Sequence, residues 1–255
     1  MSGSAAHGTP DPEAGTVRGI WRKLIRIPLY AFIWLVLRVR VEGMENIPPE
    51  GSGVYVVSNH LHNADPVLLE IIFPRPLHFM AKEEIYRIKP LGWLVGKFGN
   101  FPVARGKSDR KAVRNAITRL RHGVAVGLFP EGTRSKTMRL GPARAGAGFI
   151  AIQADVPILP VAITGSERLP LNGKRPPASW PVADHPGIHI RIGKQFVLPK
   201  TGDDGRRLSA EEAAQRMMWA IAELLPEDYR GVYRSSESST DRDSSASASS
   251  AALTN

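Results

Sequence analysis

From Gly53 onward the chain alternates short apolar runs with longer stretches in which apolar residues recur at helical spacing. The runs Val54 to Ser58, Leu77 to Ala81, Phe101 to Ala104, Val124 to Phe129, Ile158 to Thr164 and Ile188 to Ile192 are of strand length and rich in Val, Ile, Leu and Phe, so they predict strands. The stretches Leu91 to Phe98, Ser108 to Arg121, Ala143 to Ala154 and Ser209 to Leu225 predict helices, the last opening with Ser209 and Glu212 at capping-box spacing. A shorter helix is expected after the first of these strands, with Asp65 as N-cap and Pro66 at its first position. Strand then helix, repeated, predicts an α/β fold with a central, mostly parallel sheet flanked by helices. Within Val156 to Val161, Pro157 and Pro160 are expected to discourage pairing on at least one side of that strand.

The ends of the chain read differently. Residues 1–16 are polar, with Gly, Pro and acidic residues, and predict a disordered N-terminus. No small-residue cleavage site follows the first apolar stretch, so no signal peptide is expected and the chain should stay on the cytoplasmic side. Residues 17–40 place Arg18, Arg22, Lys23 and Arg26 before the apolar run Ile27 to Leu37, and Arg38 and Arg40 after it, with Trp21, Tyr30 and Trp34 interspersed. That run falls short of the roughly 20 residues a spanning helix needs. An amphipathic helical segment lying in the headgroup layer is expected instead, where each basic residue near an anionic surface contributes on the order of 1 kcal/mol. An ordinary core helix with basic flanks would carry the same pattern. Residues 41–233 form one folded unit, and the tail at 234–255, dominated by Ser, Ala and Thr, is expected to be disordered. Gly and Pro punctuate Pro170 to Gly187, which reads as an irregular excursion.

Composition narrows the chemistry. A chain of 255 residues without a single cysteine has no disulfide, no zinc-thiolate site and no thiol nucleophile. The formal charge of +10 favours an anionic partner: anionic lipid headgroups, a phosphorylated substrate or nucleic acid. No nucleic-acid module accompanies that charge, which sets nucleic acid aside.

Two segments could carry a reaction. The first, Asn59 to Asp65, lies between an apolar strand and a helix start, where α/β folds place reactive groups. On one continuous helix His60 and Asp65 would sit about 140 degrees apart. With His60 in a loop and Asp65 at the helix start they can meet, and an imidazole held by a carboxylate is a good general base. Asp65 as a plain cap and His60 as a packed loop residue are the competing description. So is metal ligation by the pair His60 and His62, which would make a metal-dependent hydrolase. The second segment, Phe129 to Ser135, offers Gly132 for close backbone approach, Thr133 and Ser135 as hydroxyl donors, and Arg134 for a bidentate phosphate contact. Glu131 would repel a phosphate, so it is expected to orient Arg134 or the loop amides. Arg105, at the end of the strand beginning at Phe101, brings a second cation to the same sheet edge.

These segments, in this order, resemble those of the glycerolipid acyltransferase family typified by 1-acylglycerol-3-phosphate acyltransferases, over roughly Val41 to Gly193. His60 and Asp65 match the family's His-x4-Asp motif, Gly99 to Arg105 its second block and Val156 to Val161 its fourth. Phe129 to Ser135 matches the Phe-Pro-Glu-Gly-Thr-Arg-Ser block at every position. The resemblance implies acyl transfer from acyl-CoA or acyl carrier protein to the sn-2 hydroxyl of a lysophospholipid, at a membrane surface and without metal or cofactor. In that reading His60 is the base, Asp65 supports it, and Arg105, Gly132, Thr133 and Arg134 hold the acceptor, with Glu131 ordering the loop. His62 departs from the family pattern, which often has Ser there, and the second block is the shorter Pro-Val-x-Arg form. Both bear on the acceptor, so another lysolipid or a glycolipid stands beside lysophosphatidate. A non-catalytic protein that binds anionic lipid is the alternative outside enzymology.

Overall fold

Every side chain of Val54–Ser58 is buried, which identifies this run as a central strand covered on both faces. A computed structural model of the chain describes residues 19–89, 91–104, 109–170 and 187–234. The expectations for residues 1–16, for the tail beyond residue 234, for most of the Pro170 to Gly187 segment and for Arg105 and Ser108 lie outside these residues.

Among the described residues seven strands form one sheet: β1 (Arg40–Glu42), β2 (Val54–Ser58), β3 (Leu77–Lys82), β4 (Phe101–Val103), β5 (Ala125–Leu128), β6 (Ile158–Thr164) and β7 (His189–Ile192). Their spatial order is β1-β7-β6-β2-β5-β3-β4. At the centre Val56 is level with Gly127 of β5 on one side and Leu159 of β6 on the other, both parallel. Only the β6–β7 pairing runs antiparallel, so the sheet is mixed but mostly parallel.

Helices cover both faces. Tyr55, Val57 and Ile158 point into one core with α5 (Arg110–Arg121), α6 (Ala145–Ala154) and α7 (Ala210–Leu224). Val54, Val56 and Ile163, the alternate positions, point into the other with α1 (Gly19–Leu37) and α2 (Asp65–Ile72). Two short helices, α3 (Glu83–Tyr86) and α4 (Leu91–Lys97), connect β3 to β4. The Ser209 hydroxyl accepts the Glu212 amide at 3.1 Å and caps α7, as its spacing predicted.

Three expectations are corrected. The first helix does not run to Arg40. It stops at Leu37, Arg38 takes a left-handed conformation (φ 48), and Arg40–Glu42 becomes an edge strand whose Arg40 amide donates to Ile188 at 2.8 Å. The prolines do not leave β6 with an open side, because it pairs with β2 and β7 together. Pro160 directs its carbonyl toward Gly193, whose amide donates to it at 2.9 Å, just past the end of β7. Its missing N–H faces the same way, so only the reciprocal bond to Gly193 is forgone, at the point where β7 has ended. Finally, Asp65 is the first residue of α2 rather than its N-cap, a position held by Ala64. The Asp65 carboxylate turns away from the helix and back to the loop before it.

On α1, Ile33 is buried and Leu29, Tyr30 and Leu37 pack against the core beneath them. Leu24, Ile27, Trp34 and Leu35 are between 55% and 72% exposed, and their spacing lines them along one stripe of the helix. No helix among the described residues is long and apolar enough to cross a membrane.

Candidate active site

The site is built where β2 ends. Asn59 continues that strand with its side chain: Nδ2 donates to the Ile163 carbonyl and Oδ1 accepts the Ile163 amide, both at 2.8 Å. The amide group thus imitates a backbone pair and pins the loop to β6. The chain then turns, and Asp65 closes the turn by accepting three hydrogen bonds at one oxygen. His60 Nδ1 lies 2.8 Å from Oδ2, and the Leu61 and His62 amides each donate to it at 2.7 Å. Two amide donors hold Asp65 as an acceptor, so the proton on the His60 ring sits at Nδ1. In the neutral tautomer Nε2 then keeps its lone pair.

The His60 backbone is held from the other side by the second loop. Its carbonyl accepts the Ser135 amide at 2.8 Å, and its amide reaches Glu131 Oε1 at 3.4 Å. The ring stacks on Phe129 with centroids 4.0 Å apart, and Phe129 stacks in turn on Phe79. Glu131 is buried, and its Oε2 accepts the Gly141 amide at 3.1 Å. Both Glu131 oxygens thus face loop amides, which is one of the two orientations the sequence allowed. Burial pushes the Glu131 carboxyl up to about 7, and the negative charge of Asp65 adds to the rise against the opposing pull of the two amides.

His62 has no ring nitrogen to spare. Nδ1 accepts the Ala64 amide at 3.0 Å, which makes Nε2 the donor to the Pro170 carbonyl at 3.1 Å. The pairing of His60 with His62 as metal ligands therefore finds three of four ring nitrogens committed. No group of three or more His, Cys, Asp or Glu side chains able to hold a metal occurs among the described residues.

His60 opens onto a cleft of about 500 Å³. Its floor and walls are apolar, with Phe79 and Met80 of β3, Val103 of β4, Leu128 of β5, Val113 of α5 and Ile150 of α6. Gly127 keeps the floor open, since a Cβ there would come within 2.4 Å of the Phe79 ring. Gly132 and Thr133 border the cleft beside His60. Asp65 and Glu131 stand behind it as fasteners. Arg134 belongs to the same loop but is not on the cleft wall, and Arg105 lies outside the described residues. Arg144, at the start of α6, is on the wall and was not singled out from sequence. The Asn59 clamp and the Phe79–Phe129 stack were also missed, because each joins residues far apart in the chain.

A buried His–Asp pair just past the C-terminal end of the central strand, facing an apolar cleft and bonded to a Phe-Pro-Glu-Gly-Thr-Arg-Ser loop, agrees with the match of residues 38–164 to the family model described as Acyltransferase. The chain belongs to the glycerolipid acyltransferase family. Among its relatives is the 1-acyl-sn-glycerol-3-phosphate acyltransferase of Bacillus subtilis (strain 168), 34% identical over 137 residues, which are 53% of this chain and 65% of that one. The chloroplastic 1-acyl-sn-glycerol-3-phosphate acyltransferase BAT2 of Brassica napus is 28% identical over 75% of this chain and 54% of its own length. The crystal structure of the 1-acyl-sn-glycerophosphate (LPA) acyltransferase PlsC from Thermotoga maritima superposes with a TM-score of 0.61 at 30% identity, covering 78% of this chain and 76% of that one. The chain spans about half the length of the chloroplastic relatives it matches, 54% of the Brassica napus enzyme and 46% of the Arabidopsis thaliana one.

Proposed function

We propose that this protein transfers a fatty acyl group from an acyl thioester, acyl-CoA or acyl carrier protein, to the sn-2 hydroxyl of 1-acyl-sn-glycerol-3-phosphate in phospholipid biosynthesis. The observation that carries the reading is the 2.8 Å contact between His60 Nδ1 and Asp65 at the mouth of an apolar cleft. His60 Nε2 takes the proton of the acceptor hydroxyl, and the oxygen attacks the thioester carbonyl. Asp65 stabilises the imidazolium that forms. Collapse of the tetrahedral intermediate breaks the carbon–sulfur bond, and the imidazolium returns the proton to the departing thiolate. The cleft receives a fatty acyl chain, which its apolar lining suits. Arg105, Gly132, Thr133 and Arg134 are assigned to the acceptor and its phosphate, and Glu131 to ordering the loop. The reaction calls for no metal or cofactor beyond the two substrates.

The exposed stripe on α1 is assigned to the membrane surface, where it would seat the protein peripherally or monotopically on the cytoplasmic face, beside its lipid acceptor. Free thiol released from palmitoyl-CoA or oleoyl-CoA, with a panel of lysophospholipids and a glycolipid acceptor, tests the chemistry. His60→Ala should lower turnover by about 10² to 10⁴ while the protein stays folded. Turnover that survives the substitution removes His60 as the base. Thiol release without any acceptor makes the protein a thioesterase instead.

A further inference from the structure

The cleft that receives the acyl chain has a cation on its wall that none of the sequence motifs contains. Arg144 precedes α6 in an extended conformation, its own amide donating to the Pro130 carbonyl at 2.9 Å. Its side chain lies across the motif loop, with Nε donating to the Glu131 carbonyl at 3.2 Å. Gly132 provides the seat. That residue takes a φ of +70, and a Cβ on it would come within 2.6 Å of Arg144 Cδ and 2.7 Å of Nε. The stem is therefore held in place by a position where a side chain would not fit.

What remains of the guanidinium is directed by this arrangement. Neither Nη group has an acceptor among the described residues. The residue is exposed and lines the same cleft as His60, Gly132 and Thr133. A guanidinium stays charged at any working pH and offers parallel N–H groups that match two oxygens of a phosphate. Fixing the stem in advance lowers the entropy cost of that contact.

We propose that Arg144 binds a substrate phosphate at the His60 end of the cleft, an assignment that rests on the acyl-transfer reading above. The chemistry fits the phosphomonoester of the acceptor or the phosphates of a coenzyme-bound donor. Kinetics on Arg144→Ala separate the two. A KM for lysophosphatidate raised roughly 10- to 150-fold, the range for losing a charge-assisted hydrogen bond, with kcat within about threefold, identifies the acceptor phosphate. The same rise for palmitoyl-CoA, but not for palmitoyl-pantetheine, identifies the donor. Arg144→Lys, which keeps the charge and loses the fork, should fall between wild type and Arg144→Ala. Both KM values within about twofold of wild type overturn the proposal.

A second measurement is independent of turnover. Calorimetric titration of the full chain with glycerol 3-phosphate and with CoA should show one of them binding more weakly to Arg144→Ala. If wild type turns over no lysolipid but this difference persists, the acyl-transfer reading falls and the phosphate site stands. If wild type turns over and both titrations match between the proteins, the assignment of Arg144 is wrong by itself.

Discussion

Asp65 and Glu131 are both buried carboxylates within one site, and their neighbours give them different tasks. Three donors converge on one Asp65 oxygen, whereas Glu131 has two backbone donors set against strong desolvation. Glu131 ionises near 4.5 when unfolded and near 7 in the fold, so the native state holds its proton more tightly. Its contribution to stability is complete below about 4.5 and is lost as pH rises through about 7. Glu131→Gln cannot ionise, so the difference in Tm should move in favour of the variant between about pH 5 and pH 8. A difference that stays flat across this window would show that Glu131 is not a raised acid. At this scale the sequence was informative about residue identity and poor about direction. His60 and Asp65 could be paired from their spacing around a strand end, yet Asp65 reads as an N-cap because nothing local shows its carboxylate turning backward. From sequence His62 was open to metal ligation with His60 or to a bearing on the acceptor, and its commitment to Ala64 and Pro170 could not be read, since the second partner is 108 positions away.

At the scale of elements, the site depends on one strand being extended by a side chain. Asn59 satisfies both backbone groups of Ile163 and so carries β2 one step further along β6. Asn59→Ala leaves a buried N–H and a buried C=O unpaired, at a cost of roughly 2 to 6 kcal/mol for the two. Denaturant unfolding should register that loss, and kcat should fall at least about tenfold because the loop bearing His60 is no longer fastened. If stability falls while kcat holds, Asn59 supports the sheet and nothing more. Most elements could be located from apolar runs and helical spacing, and their ends fall within a few residues of those predicted. β1 escaped because three residues, Arg-Val-Glu, carry no periodicity, and their partner β7 lies almost 150 positions onward. The accommodation of Pro160 escaped for a related reason: it depends on where β7 stops.

The whole molecule has one face committed to its own core and one helix that is only half committed. α1 packs Ile33 inward and turns Leu24, Ile27, Trp34 and Leu35 out, on a chain with a net charge of +10. Replacing Trp34 and Leu35 together by Glu should reduce cosedimentation with phosphatidylglycerol vesicles by about tenfold or more, with Tm unchanged because both side chains are exposed. Binding that is indifferent to these changes would reject α1 as the membrane contact. The α/β class and the order of strands and helices were legible from sequence. The cleft was not, because Gly127, Val113 and Ile150 come from three separate elements and only the assembled sheet brings them together.

The Asn59 clamp also has a consequence in time. Its partner Ile163 follows it by 104 residues, which at about 5 to 20 residues per second is roughly 5 to 20 s of synthesis. Throughout that interval His60 and Asp65 already exist as neighbours in the chain, but the strand that fixes them has not been made. A nascent chain should therefore lack a fastened His60 loop until β6 has emerged and inserted beside β2, and the proposed activity should appear only after that point in synthesis.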